Sequence, residues 1–170
     1  MAARISDSYF TNGNTPEELK KQIDDIRAKA QQNGHQVKIG VNAFIIARDT
    51  EEEAKAGLQE IIDGANVEAV KAFGDATKEA GAATAEGEGN WAKSTFEDLV
   101  QYNDGFKTNL IGTPRQIAER IVELKAVGVD LILSGFLHFI EEVEYFGAKV
   151  LPLVRELEAQ QQSVETAKSA

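Results

Sequence analysis

Two histidines, His35 and His138, are the only imidazoles in this 170-residue chain, and it has no cysteine. His138 closes the stretch Leu131-Ile-Leu-Ser-Gly-Phe-Leu-His138, which passes into Phe139-Ile-Glu-Glu-Val-Glu-Tyr-Phe-Gly147. A short apolar run that stops at Ser134-Gly135 and resumes with helical spacing reads as a βα unit. In such units ligands sit beyond the carboxyl ends of the strands. An imidazole there can donate, accept or transfer a proton. It can equally cap the helix that follows. His35 lies in the turn Asn33-Gly-His-Gln36 and reads as a solvated loop residue. No second His or Cys stands at ligand spacing, so a metal site is not expected. Without cysteine there are no disulfides, thiolate ligands or thiol nucleophiles. Glu141, Glu142 and Glu144 suit a first helical turn through the helix dipole alone. Neither a nucleophile elbow nor a phosphate-binding glycine loop is present.

A second set of candidates lies on the run Val37-Lys-Ile-Gly-Val-Asn-Ala-Phe-Ile-Ile46. With a period of two, Gly40, Asn42, Phe44 and Ile46 share one face, and Val41, Ala43 and Ile45 the other. An asparagine buried on such a strand needs partners. Asn42 is therefore either hydrogen-bonded internally or turned towards a ligand. Arg48, just past the strand, can meet an anion or pair with Asp49 or Glu52.

The elements that position these residues alternate between strand and helix. Asp7–Thr11 reads as a strand. Thr15-Pro-Glu-Glu18 opens a helix, with Thr as N-cap and Pro at its first position, and Asn33-Gly34 stops it. Thr50 with Glu53 forms a capping box for a second helix. A third is expected over 66–80. Thr113-Pro114 starts another, which ends at Gly128 before the strand at Leu131. A last helix is expected over 150–161, followed by a disordered tail over 162–170. Residues 81–109 are long, Gly-rich and polar with scattered aromatics, the character of a lid or binding loop or of a surface insertion with a short helix at 96–102. The match of Gly87-Glu-Gly-Asn-Trp-Ala92 to a dinucleotide fingerprint is discounted because no strand precedes it. The fold class is α/β, with about three parallel strands. Three strands leave two open edges and an uncovered face, so residues 1–161 read as part of a (β/α)8 TIM barrel.

Composition narrows the partners. The net charge is −10, from 18 basic and 28 acidic residues, without a basic stripe. That argues against nucleic acid and anionic membranes as partners. No apolar run approaches a membrane span and no signal-peptide core is evident, so a cytoplasmic setting is expected.

Five segments resemble the bacterial luciferase-like, reduced-flavin-dependent monooxygenases: Asp7–Gly13, Val41–Ala54, Gly89–Asp98, Asn109–Pro114 and Gly135–Phe139. The likeness runs from Ala2 to about Glu158 and is strongest to members that oxidise small sulfones. It departs from them at Ser8, where they carry Trp. The resemblance implies the C-terminal part of a TIM barrel in which reduced FMN and O2 oxidise a small organosulfur substrate. The flavin would come from a separate reductase; the open sheet, for its part, predicts that the chain is a homo-oligomer. Sulfonate-cleaving relatives place Arg and His where this chain has Asn42 and Phe44. Their Ser-Gly-Tyr-Pro-His becomes Ser134-Gly-Phe-Leu-His138. An uncharged sulfone needs donors and an apolar wall rather than a guanidinium. The resemblance thus implies substrate contacts from Asn42, Phe44, Phe136 and Trp91, flavin contacts from Asn12, Gly13 and Lys93, and catalysis at His138. It gives residues 81–109 a lid role. It also implies that the N-terminal half of the barrel lies outside these residues. Two alternatives stand beside it: an inactive fragment that self-associates, and a flavin-binding module without oxygenase activity.

Overall fold

A computed structural model describes residues 2–83, 94–100 and 105–169. Its strands are β1 (Ser8–Thr11), β2 (Lys38–Phe44), β3 (Ile46–Ala47), β4 (Ile111–Gly112) and β5 (Leu131–Gly135). Its helices are α1 (Ala2–Ile5), α2 (Pro16–Gln32), α3 (Glu51–Asp63), α4 (Val67–Ala82), α5 (Phe96–Leu99), α6 (Pro114–Ala126), α7 (Phe139–Tyr145) and α8 (Leu151–Ser169). The three strands expected from the sequence form one parallel sheet in the order β1-β2-β5. Register places Phe10, Gly40 and Leu131 side by side, then Asn42 beside Leu133 and Phe44 beside Gly135.

The two faces of this sheet differ sharply. Ile39, Val41 and Ala43 pack with Leu19 and Ile23 of α2, Ile117 and Leu124 of α6, and Val154 of α8 in one buried core. On the opposite face Phe10, Leu131 and Leu133 are 50%, 59% and 59% exposed. Parallel strands are normally covered on both sides. Among the described residues nothing covers Phe10, Leu131 and Leu133 on this second face. Gly40 lies at its centre, where the Phe10 ring and the Leu131 side chain close over the backbone: a Cβ there would stand 2.8 Å from Phe10 Cδ2 and 3.3 Å from Leu131 Cδ2.

Helix starts follow the expected chemistry. The hydroxyls of Thr15, Thr50 and Thr113 accept from the backbone N–H three residues on, and Thr50–Glu53 and Thr113–Gln116 are full capping boxes. The third helix begins one residue after its cap, Asn66.

The long strand is divided, which its apolar pattern does not reveal. The Ile45 N–H donates to Gly135 O, whereas Ile46 N–H donates to Leu110 O and Arg48 N–H to Gly112 O. The chain therefore changes partner from β5 to β4 at Ile45. The short β4 is itself an addition to the expected strands. Its pairing with β3 leads into a second core of Ile46, Val70, Leu99, Val100 and Phe106. Of the 81–109 segment, Phe96–Leu99 is helical and Gly105–Thr108 is a 3₁₀ turn, both packed into that core. Phe106 meets the Phe44 ring edge-on, with centroids 5.2 Å apart.

Helix α7 does not end at Gly147. It continues through a π turn, Phe146–Val150, into α8. Pro152 follows directly; it has no N–H, and its ring would clash with the carbonyl four residues back in a regular helix. The wider π turn relieves both problems. Helix α8 then runs to Ser169, past the limit at Gln161 expected from the sequence and through the stretch assigned to a disordered tail. Its apolar face packs on α6, and beyond that contact Ser163 and Thr166 return their hydroxyls to the carbonyls of Ala159 and Gln162.

At the amino ends of the strands Asp130 ties three elements together. Its carboxylate accepts from Ile39 N–H at 2.8 Å and from Arg27 Nη2 at 3.0 Å, while its own N–H donates to Ile39 O. Arg27 also reaches Gly128 O at 2.8 Å. Gly128 has φ +109°, a backbone conformation that favours glycine, and a Cβ there would displace the Arg27 guanidinium from the Gly128 carbonyl.

Candidate functional site

The carboxyl ends of β1, β2 and β5 bring most of the candidate residues to one end of the sheet. Asn42 is buried, and its Oδ1 accepts the Gly13 N–H at 2.9 Å. This bond spans two strands: it fixes the turn after β1 to the middle of β2. Of the two readings open for Asn42, internal partnership is therefore realised for its oxygen. Asn12, half-buried, and Gly13, buried, follow directly on β1. Phe44 lies at the end of β2 against Phe106. Phe136 stacks edge-on against Phe146 and Phe139, at 5.8 and 6.3 Å, and so holds the turn after β5 to the α7 helix.

His138 occupies the N-cap position of α7, yet its side chain makes no capping hydrogen bond. The capping role considered for it is carried by another residue. Glu142, one turn into the helix, reaches back with Oε2 to the N–H groups of Leu137 and His138, at 2.9 and 3.2 Å. Its other oxygen accepts from Arg48 Nη2 at 2.7 Å. Arg48 thus pairs across 94 residues, not with its neighbours Asp49 or Glu52. Asp49 instead accepts the Tyr145 hydroxyl at 2.5 Å. Burial raises the Tyr145 phenol to about 12, helped by that hydrogen bond and the Asp49 charge. His138, Arg48, Glu142, Asp49 and Tyr145 line one open cavity of about 600 Å³ between α3 and α7.

The sequence offers Arg48 as able to meet an anion and Glu142 as a first-turn acid, but does not name them as partners. The acid follows the N-cap by four residues, one beyond the usual capping-box spacing, and nothing local to Arg48 names so distant a partner. Trp91 and Lys93 lie outside the described residues. Among the described residues no cluster of His, Asp or Glu could hold a metal ion, and no helix is long and apolar enough to cross a membrane.

The strand ends thus bring together an amide, aromatic rings and an imidazole. The family model of luciferase-like monooxygenases matches residues 1–131. The chain belongs to that family. Over its full 170 residues the chain is 78% identical to an FMNH2-dependent dimethylsulfone monooxygenase of Pseudomonas fluorescens (strain Pf0-1), and it covers 47% of that protein. It is 77% identical over 163 residues to the protein of the same description from Pseudomonas putida, covering 45% of it. The chain spans a little under half the length of these curated relatives. Among solved structures, 92% of this luciferase-like chain superposes on 40% of a riboflavin lyase (RcaE) crystallised with modified FMN and riboflavin, with a TM-score of 0.70 and 24% identity. It superposes on 39% of DmoA from Hyphomicrobium sulfonivorans with a TM-score of 0.68 and 19% identity. The fold is accordingly a portion of the luciferase-like TIM barrel, as its three parallel strands and uncovered face require.

Proposed function

We propose that this luciferase-like chain is part of a reduced-flavin-dependent monooxygenase acting on a small organosulfur compound of the dimethylsulfone type. The observation that carries the reading is the 78% and 77% identity, along 100% and 96% of the chain, to the two Pseudomonas relatives of that description. FMN, reduced by a separate flavin reductase, would supply electrons that let O2 transfer one oxygen atom to the substrate.

The described residues fit one wall of such a site. Phe10 and Leu133 give an exposed apolar surface for a flat ring system, bounded by Asn42 and Phe44 where the strands end. Asn12, Gly13 and Lys93 are the proposed flavin contacts; Asn42, Phe44, Phe136 and Trp91 are the proposed substrate contacts. Gly13 already gives its N–H to Asn42, so its contribution is backbone shape. His138, with a side chain not committed to capping, is the proposed acid/base. Residues 81–109 are the proposed lid, and the contact of Phe106 with Phe44 ties that segment to the site.

We also infer a homo-oligomer in a cytoplasmic setting. Both β1 and β5 present open edges among the described residues, and a twofold axis along the strands would let β5 of one copy pair in parallel with β1 of the other. That arrangement would bury Phe10, Leu131 and Leu133. A charge of −10 per copy opposes it, so association should strengthen with salt as repulsion is screened. Light scattering at low and high ionic strength tests this, and an 18.5 kDa monomer under both conditions would remove it. Titration of the purified chain with oxidised and reduced FMN tests the larger reading. Saturable binding followed by sulfone-dependent O2 uptake is expected. Absence of flavin binding at high micromolar concentration would confine the activity to the longer relatives.

A further inference from the structure

We propose that Glu142 is the positioning residue of the rim after β5, with Arg48 as the tether that fixes it. Together they set the backbone from which His138 projects. The inference rests on the functional reading above only in what His138 is positioned for; the positioning itself stands on geometry. Helix α7 opens with a residue whose side chain does not cap it. The two backbone N–H groups at that opening, Leu137 and His138, both converge on Glu142 Oε2. The carboxylate is held from behind by the Arg48 guanidinium through Oε1. Arg48 in turn donates to Ala47 O at 2.8 Å, so the restraint ends in β3. The side chains are 11% and 31% exposed, shielded enough that the pair is not an ordinary surface contact. One carboxylate therefore links the end of β3, the turn after β5 and the first turn of α7. Charge-assisted hydrogen bonds of this kind are about twice as strong as neutral ones and demand fixed geometry.

Among the described residues, Glu142 alone accepts these two N–H groups of the turn. Phe136 secures it by ring packing alone, which restrains position but leaves the amide directions of Leu137 and His138 unset. Glu142 removes that freedom.

Amide hydrogen exchange by NMR on the full chain provides the test, with Ile39 and Val41 as core references. Glu142→Ala should speed exchange at Leu137 and His138 by roughly tenfold or more while the core amides keep their rates. Glu142→Gln offers a single carbonyl oxygen for which Arg48 and the two amides compete, so a smaller acceleration is expected. Adding Arg48→Met to Glu142→Gln should bring the two amides back to the rates of Arg48→Met alone and no further, because the oxygen is then uncontested but untethered; a generic loss of packing would not be rescued by a second truncation. Arg48→Met alone, which leaves the core untouched, should accelerate the same two amides a fewfold and serves if Glu142→Ala does not fold. Unchanged exchange at Leu137 and His138 in Glu142→Ala or in Arg48→Met, or no rescue in the double variant, overturns the proposal. For the functional link, oxidised FMN should shift the His138 imidazole resonances and not those of His35, and Glu142→Ala should need about fivefold more FMN for the same shift. A wild-type His138 that ignores FMN would count against the flavin reading alone, since exchange and rescue decide the role of Glu142.

Discussion

Asn42→Ala is the substitution that best separates structure from substrate choice at the carboxyl ends of the strands. It deletes the Oδ1 that accepts the Gly13 N–H at 2.9 Å, in a position only 7% exposed. Gly13 is buried as well, so its N–H loses its partner without gaining ready access to water. An unsatisfied buried donor costs about 1–3 kcal/mol. A value near 2 kcal/mol, divided by a urea m-value of about 2 kcal/mol/M, moves the unfolding midpoint down by about 1 M. Urea unfolding followed by circular dichroism reads this directly. The m-value should hold, because the surface exposed on unfolding is nearly the same. Exchange of the Gly13 amide supplies the local reading: fast in Asn42→Ala, slow in Asn42→Asp, which keeps an oxygen acceptor whatever its own burial costs. A midpoint within ~0.2 M of wild type, well inside the about 1 M expected from the lost bond, together with an unmoved Gly13 amide would refute the anchoring role. The same geometry qualifies the substrate argument. Asn42→Arg in a complete barrel should turn preference towards sulfonates through bidentate recognition, but it also sacrifices the Gly13 anchor. Its kcat/KM ratio for the two substrate classes is therefore informative only beside the Asn42→Ala control.

Two further outcomes follow from the described contacts. The Tyr145 phenol is raised to about 12 by burial and by its hydrogen bond to Asp49, above the ordinary tyrosine value of about 10. A raised value in the folded state favours the protonated form, so this contribution to stability is complete below about pH 10 and is lost as pH rises through about 12. Phenolate absorbance should show one of the three tyrosines ionising last, a step missing from Tyr145→Phe; identical titrations would dismiss it. At the opposite end of the sheet, Asp130→Ala strands Ile39 N–H and releases Arg27. A loss of roughly 1–2 kcal/mol is expected in urea unfolding, with Asp130→Asn costing clearly less because one oxygen remains for Ile39. Equal losses for the two would mean that the Arg27 charge pair, and not the backbone bond, does the holding.

Much of this architecture is legible because its signals are local. Threonine N-caps with Pro or Glu at fixed offsets located the starts of α2, α3 and α6, and continuous apolar runs located β1, β2 and β5. What escaped is decided by partners distant in sequence. Nothing in Val37–Ile46 marks the change of neighbour at Ile45, since it depends on Gly135 O and Leu110 O arriving from two other segments. The helix after His138 and the one expected from 150 read as separate elements, yet the π turn at Phe146–Val150 joins them. The site shows the same division. His138 was identifiable from its place after an apolar run, whereas Glu142 resembled any acid in a first turn. Only the arrival of Arg48 from the end of β3 turns that acid into a structural joint.

The two ends of the sheet are thus built for different tasks. At the amino ends Asp130, Arg27 and Gly128 join strands and helices of the core through contacts internal to the described residues. At the carboxyl ends Asn42–Gly13 and Arg48–Glu142 each fix a turn, the first within the three-stranded sheet and the second from β3, and both bonds are complete within the described residues. The uncovered face of Phe10, Leu131 and Leu133 says that the sheet is unfinished; the satisfied hydrogen bonds at its rim say that the turns are not. A rim that is ordered before the sheet is covered would give any covering element, a second copy or the remainder of a longer relative, a preformed edge to close against. Covering would then add ligand contacts without first having to order the turns after β1 and β5, and most of the entropy of ordering them would already be spent in folding this chain.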